Sequence, residues 1–246
     1  MPRYKAILAY DGTAFAGYQI QPNVRTVQGE LERALAKIHK GNYVPTFASG
    51  RTDARVHARG QVVHFDSPLK IPEQNWRKAW QALLPDDIVI CDVSLTHDHF
   101  HARYDATKKE YRYRIVTTEL PDVFRRHFTW HIPQPLKTDV MQAALQAIEG
   151  THDFTSFSSK KTTVEDKIRT IYSAYLHEQE DELIIHFVGN GFLYNMVRIL
   201  VGTIVEIGRG ERTPDEMTTI LAARSRERAG KTAPPQGLTL WSVSYD

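Results

Sequence analysis

The chain has one cysteine in 246 residues, which rules out an internal disulfide and any multi-thiolate metal site. It also lacks an apolar run near the roughly 20 residues that a membrane-spanning helix requires. Its first residues, Met1-Pro2-Arg3-Tyr4-Lys5, lead straight into strand-like sequence rather than the apolar stretch of a secretory leader. Low-complexity tracts and short repeats are missing too. So is a charge excess: Lys+Arg number 31 against 29 Asp+Glu, for a net charge of +2. A bulk polycation is thereby excluded, and any grip on nucleic acid must come from local clusters of charge. What is left is a globular chain of ordinary make-up, 41% hydrophobic and 24% charged, expected in a reducing cytoplasm.

Local clusters are present. Between residues 103 and 114, Arg103, Lys108, Lys109, Arg112 and Arg114 face only Asp105 and Glu110; between 224 and 231, Arg224, Arg226, Arg228 and Lys231 face only Glu227. Patches of this kind build phosphate-binding grooves. The third cluster is Gly50-Arg51-Thr52-Asp53-Ala54-Arg55-Val56-His57-Ala58-Arg59-Gly60-Gln61, which sets one carboxylate among three guanidinium groups. Strand-like sequence at 43–49 and 61–65 flanks it, so the dozen residues read as a loop on rigid supports, where chemistry usually sits. The same residues can also be read as a solvated arginine face with Asp53 as a helix cap.

Residues 4–10 read as a strand and 18–25 as a loop. Thr26 then caps a helix with Val27, Leu31, Leu35 and Ile38 on one face, stopped by Gly41-Asn42. A second helix runs from Pro72 through Trp76, Ala79, Trp80 and Leu83 to a break at Pro85. A strand at 88–93 holds Cys91, read as a small buried hydrophobe. The His-rich residues 96–105 read as a crossover between two halves, 1–105 and 106–246. In the second half, Tyr111, Tyr113 and Ile115 alternate along a strand at 109–116. Residues 121–136 carry three prolines and read as irregular, and a helix at 139–149 ends at Gly150. A hairpin joins 168–177 to 183–188 through Gln179-Glu180-Asp181. Residues 192–207 read as a buried helix with Arg198 as its exception. Thr213-Pro214-Asp215-Glu216 forms a capping box for a last helix, and 238–245 is a closing strand. Helices and strands interleave without a strict βαβ repeat, which predicts an α+β fold with mainly antiparallel sheet.

Eleven histidines raise the question of a metal, with Asp53 and His57, or His99 and His101, as ligand pairs. Neither pair matches a metal-binding spacing, and the neighbours are cationic arginines, so no metal is expected and His57 reads as a hydrogen-bonding structural residue. Arg198, on an otherwise apolar helix, must either reach solvent or meet an acidic partner. Tyr111 and Tyr113 suit a core strand, and equally suit base stacking beside a phosphate track.

Several motifs in fixed order carry a resemblance. They are Tyr10-Asp11-Gly12 with Phe15, Gly17 and Gln19; Arg25-Thr26-Val27-Gln28; Gly50-Arg51-Thr52-Asp53-Ala54 with Val56-His57-Ala58; and Phe100-His101-Ala102-Arg103. In the second half they continue as Tyr111-Arg112-Tyr113; His152-Asp153-Phe154-Thr155-Ser156-Phe157; Met196-Val197-Arg198 with Val201-Gly202; and Gly237-Leu238 with Leu240. Together they resemble the tRNA pseudouridine synthase A family, nearly end to end. The resemblance implies a homodimer whose subunits have two related α+β halves around a central, mainly antiparallel sheet, with flanking helices and a basic active-site cleft. It implies an isomerase acting on uridines 38, 39 and 40 of the tRNA anticodon stem-loop, without cofactor, metal or membrane. Asp53 matches the family's catalytic aspartate and Tyr111 the tyrosine that stacks on the target base. Arg198 matches the arginine paired with that aspartate, and Arg51 one that moves the target nucleotide. Two positions depart from the pattern: Arg55 stands where glycine is usual, and Tyr18 where tryptophan is frequent. If backbone 55 required positive φ, arginine would be strained there, so that glycine reads as dispensable, with Arg55 and Arg59 as added phosphate contacts. Two alternatives keep the same residues: a non-catalytic RNA-binding protein in which Asp53 only organises arginines, and a metal-dependent nuclease or hydrolase using Asp53, His57 and His64.

Overall fold

The computed structural model describes residues 1–245, which form two compact units. One comprises residues 1–107 together with the carboxy-terminal residues from Thr239, and the other Lys108–Leu238.

The first unit opens with β1 (Arg3–Tyr10), followed by α1 (Val27–Ile38), the two-residue β2 (Phe47–Ala48), β3 (His57–Asp66), α2 (Glu73–Gln81) and β4 (Ile88–Thr96). The second contains β5 (Lys108–Val116), β6 (Trp130–His131), α3 (Thr138–Gln146), β7 (Gly150–Asp153), β8 (Ile168–Gln179), β9 (Glu182–Gly189), α4 (Met196–Gly208) and α5 (Glu216–Ala223). β10 (Leu238–Ser244) returns the chain to the first unit. There β1 pairs antiparallel with β3 and β4, β2 antiparallel with β3, and β10 parallel with β3. In the second unit β9 pairs antiparallel with β5 and β8, and β8 with β7, while β6 runs parallel to β5. Both units are thus α+β, with sheets that are mainly antiparallel.

Alternation decides the core of the first unit. Tyr4, Ala6, Leu8 and Tyr10 are buried on one face of β1, where Tyr4 stacks on Phe65 with ring centroids 5.4 Å apart. Trp76 and Trp80 of α2 close over Phe65 edge-on, and the Trp80 indole donates to Leu31 O of α1. Thr26 caps α1 as its sequence predicts, its side chain accepting from Gly29 N. In the second unit Tyr113 and Ile115 are fully buried on β5 and Tyr111 is 8% exposed. α4 is buried on nearly every side.

Several sequence expectations are corrected. Cys91 is exposed. The register between β1 and β4 passes from Ile7↔Asp92 to Leu8↔Ile90, so Cys91 is the extra residue of a bulge and leaves the inward row. The strand expected at 43–49 shrinks to Phe47–Ala48, because Pro45 lacks a ladder donor and Tyr43 and Thr46 bond to the buried Glu32 carboxylate instead. The buried helix begins at Met196 rather than 192, since Asn195 adopts φ 61°. The predicted capping box is half formed: Glu216 accepts from Thr213 N, but no side-chain cap comes from the N-cap residue Asp215.

Candidate active site

The loop carrying Asp53 belongs to the first unit and is shorter than its sequence suggests. β3 starts at His57, so His57, Ala58, Arg59 and Gly60 lie on a strand. Gly60 permits this: a Cβ there would lie 2.5 Å from Trp241 O of the neighbouring strand β10. Residues 50–56 are then held from three sides. Gln61 Nε2 donates to Gly50 O (2.8 Å), and Ser49 Oγ donates to Gln61 Oε1 (2.7 Å). The Tyr10 and Thr52 hydroxyls are 2.8 Å apart in the buried interior. Burial pushes the Tyr10 phenol up to about 12, so it stays a neutral hydroxyl.

The third side is the segment after β1. Asp11 caps a short 3₁₀ turn, its carboxylate accepting from Thr13 N and Thr13 Oγ1, and Gly12 N donates to His57 Nδ1 at 3.0 Å. His57 is therefore a buried structural residue, as expected, with the Asp11 carboxylate 3.2 Å from the same nitrogen. A Cβ at Gly12 would lie 2.2 Å from Val56 O, so only glycine admits the loop this close. Tyr18 N donates to Thr52 O, Arg55 N to Phe15 O and Val56 N to Asp53 O. Arg25, bonded through both terminal nitrogens to Asp87, lies 4.2 Å over the Phe15 ring and fixes this segment in turn.

On this frame Asp53 is half-buried, while Arg51, Arg55 and Arg59 are exposed. The single carboxylate of this segment and the three arginines that flank it in sequence thus stand on a backbone whose position is set by bonds to neighbouring segments. Arg59 lies over the Trp241 ring at 4.6 Å, which holds its charge in place. Tyr10, Thr52 and Gln61 are named in the sequence reading, but their role as a brace is not. The available signal was Gln61, a polar residue in step with the inward-facing Val63 and Phe65 of β3.

Arg55 corrects the expectation that a glycine at its position is dispensable. Its φ is 64°, in the left-handed region, which costs a non-glycine residue about 1–2 kcal/mol. Arg55→Gly relieves that strain but loosens the unfolded chain by roughly 0.5–1 kcal/mol. The variant is expected to be about 0.5–1 kcal/mol more stable in urea titration.

Tyr111 and Arg198 lie in the second unit. Tyr111 on β5 meets Phe192 edge-to-face at 5.2 Å. Arg198 projects from α4, where its Nε donates to Ala233 O (2.8 Å) and its Nη1 to Asn195 Oδ1 (2.9 Å). Ala233 N in turn donates to Arg198 O, so residues 229–233 lie along the helix and set this side chain's direction. Tyr113 donates to Pro234 O, and a Cβ at Gly237 would strike its ring at 2.6 Å. That close approach accounts for the glycine of the Gly237-Leu238 motif. Among the described residues no group of three or more His, Cys, Asp or Glu is placed to hold a metal. No helix among them is long and apolar enough to cross a membrane.

The chain is similar to known proteins along its whole length. The family described as tRNA pseudouridine synthase matches residues 6–105 and 144–246. A tRNA pseudouridine synthase A of Anoxybacillus flavithermus is 58% identical over 246 residues, covering 100% of both chains. One from a Geobacillus species is 57% identical over 244 residues, covering 99% of this chain and 98% of its own. A Bacillus cereus protein named tRNA pseudouridine synthase A 1 is 55% identical over the full length of both. A family match over most of the chain, with relatives this similar from end to end, means that the chain belongs to the tRNA pseudouridine synthase family.

Proposed function

We propose that this chain isomerises uridines 38, 39 and 40 of the tRNA anticodon stem-loop to pseudouridine, as a cytoplasmic homodimer that needs no cofactor. Its amino-terminal half, through residue 105, carries the catalytic aspartate loop, and residues 106–246 carry the tyrosine and arginine that serve it. The observation that carries this reading is the bracing of residues 50–56, which presents Asp53 among arginines on a backbone tied down at Gly50, Thr52, Asp53 and Arg55.

Pseudouridine formation breaks the N1 to C1′ bond, turns the base and joins C5 to C1′, with no change in composition. The enzyme must therefore hold a detached base in place. A carboxylate suits the task in one of three ways: as nucleophile at C1′, as nucleophile at C6, or as the base that removes the C2′ proton. On each route Arg198 acts as the cation that keeps Asp53 ionised and aimed. The uridine must first leave its stack, at a cost of a few kcal/mol that stacking on Tyr111 and phosphate contacts offset. Arg51 fills the vacated space, and Arg55 and Arg59 track the RNA backbone.

The test is an unmodified tRNA transcript incubated with the purified chain and chelator. Pseudouridine at the three positions, in product of unchanged length, is the expected result. An unmodified transcript would favour the RNA-binding alternative, and a shortened one the metal-dependent nuclease. Tyr111→Phe separates stacking from proton transfer. It should bind tRNA normally yet lose about 10²–10⁴-fold in kcat if the hydroxyl moves the C5 proton. Equal rates would leave Tyr111 as a platform only.

A further inference from the structure

Phe100-His101-Ala102-Arg103 belongs to the motifs that carry the family resemblance, yet none of the roles assigned above uses it. The structure gives it surroundings. The His101 ring lies 4.7 Å from His64 and 4.3 Å from Tyr104, and Phe47 stacks on His64 with centroids 5.0 Å apart and planes within 16°. Phe47 also reaches His101 at 6.1 Å, so Phe47, His101 and Tyr104 form a continuous aromatic row backed by the buried His64. Two of the three rings face solvent: Tyr104 is 76% exposed and Phe47 48%.

The turn that carries His101 and Tyr104 is held by hydrogen bonds. His101 Nδ1 accepts from both Arg103 N and Tyr104 N; Asp105 takes His101 N and returns its own N–H to His101 O. Ala102 N donates to His64 Nδ1, tying this turn to β3. Burial and the nearby Arg3 and His101 hold His64 down at about 4, so its ring is neutral at neutral pH. The exposed Arg103 guanidinium lies 5.8 Å over the Tyr104 ring. Exposed rings in a row beside an unburied guanidinium form the surface that stacks on unpaired bases while meeting a phosphate. Its place along the chain suits such a role: Phe47 and Asp53 are six positions apart, so their Cα atoms lie within about 22 Å, a reach of a few nucleotides.

We infer that Phe47, His101 and Tyr104, with Arg103, form a second stacking platform that holds an unpaired base of the tRNA apart from the uridine being isomerised. This rests on the proposed tRNA function, but its readout need not depend on turnover. Tyr104→Ala and Phe47→Ala should each weaken binding of an unmodified tRNA transcript, read by fluorescence anisotropy, by about tenfold. KM should rise in parallel while kcat stays within about twofold. Tyr104→Phe, which keeps the ring, should restore wild-type affinity. If Phe47→Ala disturbs the fold through His64, Tyr104→Ala decides alone, since most of that ring lies in solvent. Affinity unchanged by Tyr104→Ala overturns the platform, as does a change of oligomeric state in its sedimentation, which would assign the rings to contact between copies. Binding that depends on Tyr104 in a wild-type chain that never converts uridine would support the platform and refute the proposed function.

Discussion

Replacing Asp53 with asparagine is expected to abolish pseudouridine formation while tRNA binding stays within about threefold of wild type. Asparagine matches the shape of aspartate, and the supports of the loop survive the change. They run through the backbone at residues 50–56 and through Tyr10, Thr52 and Gln61, none of which the substitution touches. What disappears is the negative charge, and with it the loop's one carboxylate, the group proposed to act as nucleophile or base. An amide can do neither, so all three chemical routes close together. General-base catalysis alone supplies about 10²–10⁴-fold, and loss of a covalent nucleophile costs more. The expected drop in kcat/KM is therefore about 10⁴-fold or greater. Binding draws mainly on phosphate contacts, and one fewer negative charge beside Arg51, Arg55 and Arg59 favours a polyanion if anything. Mass spectrometry of the tRNA after chemical labelling of pseudouridine gives the first quantity, and a filter-binding titration the second. Turnover within tenfold of wild type would remove Asp53 from the chemistry.

What could be read ahead of the structure were features fixed by near neighbours in the chain. Thr26 with the four-and-three spacing of Val27, Leu31, Leu35 and Ile38 announces α1, and Tyr111, Tyr113 and Ile115 announce β5, because cap and period are local properties. The hairpin of β8 and β9 was visible in Gln179-Glu180-Asp181 for the same reason, with Glu180 taking φ 53° at the turn. The errors lie where a distant segment decides. Arg59 and Gly60 look like loop until Trp241 arrives beside them, and Cys91 looks inward until the β1 register shifts. Position 55 takes its positive φ in a turn where Arg55 N donates to Phe15 O and Val56 N to Asp53 O, which no propensity reports. The candidate site divides likewise. Its charged residues stood out as a cluster, whereas the hydroxyl and amide brace of Tyr10, Thr52 and Gln61 exists only once three segments meet.

Gly202→Ala reverses an ordinary expectation. Alanine in place of a mid-helix glycine usually stabilises by about 1 kcal/mol; here it should destabilise by about 3–5 kcal/mol. A Cβ at residue 202 would lie 1.7 Å from Lys231 O, 2.9 Å from Lys231 C and 3.3 Å from Ala233 N. All three are backbone atoms, so no side chain can swing aside. The strap at 229–233 is fastened along α4: Ala233 to Arg198, Gly230 N to Thr203 Oγ1 (2.9 Å) and Lys231 N to a Glu206 carboxylate that also receives Arg212. Admitting a methyl group means lifting the strap and stretching several of these bonds, each worth about 1 kcal/mol with more for the charged ones. A fall of roughly 10 °C in Tm should follow. Activity should suffer beyond the stability loss, measured below the melting range, because Arg198 sits one turn before Gly202 on the same face and takes its direction from Ala233. A variant as stable as wild type would mean that the strap does not lie against α4, and the direction assigned to Arg198 would lose its support.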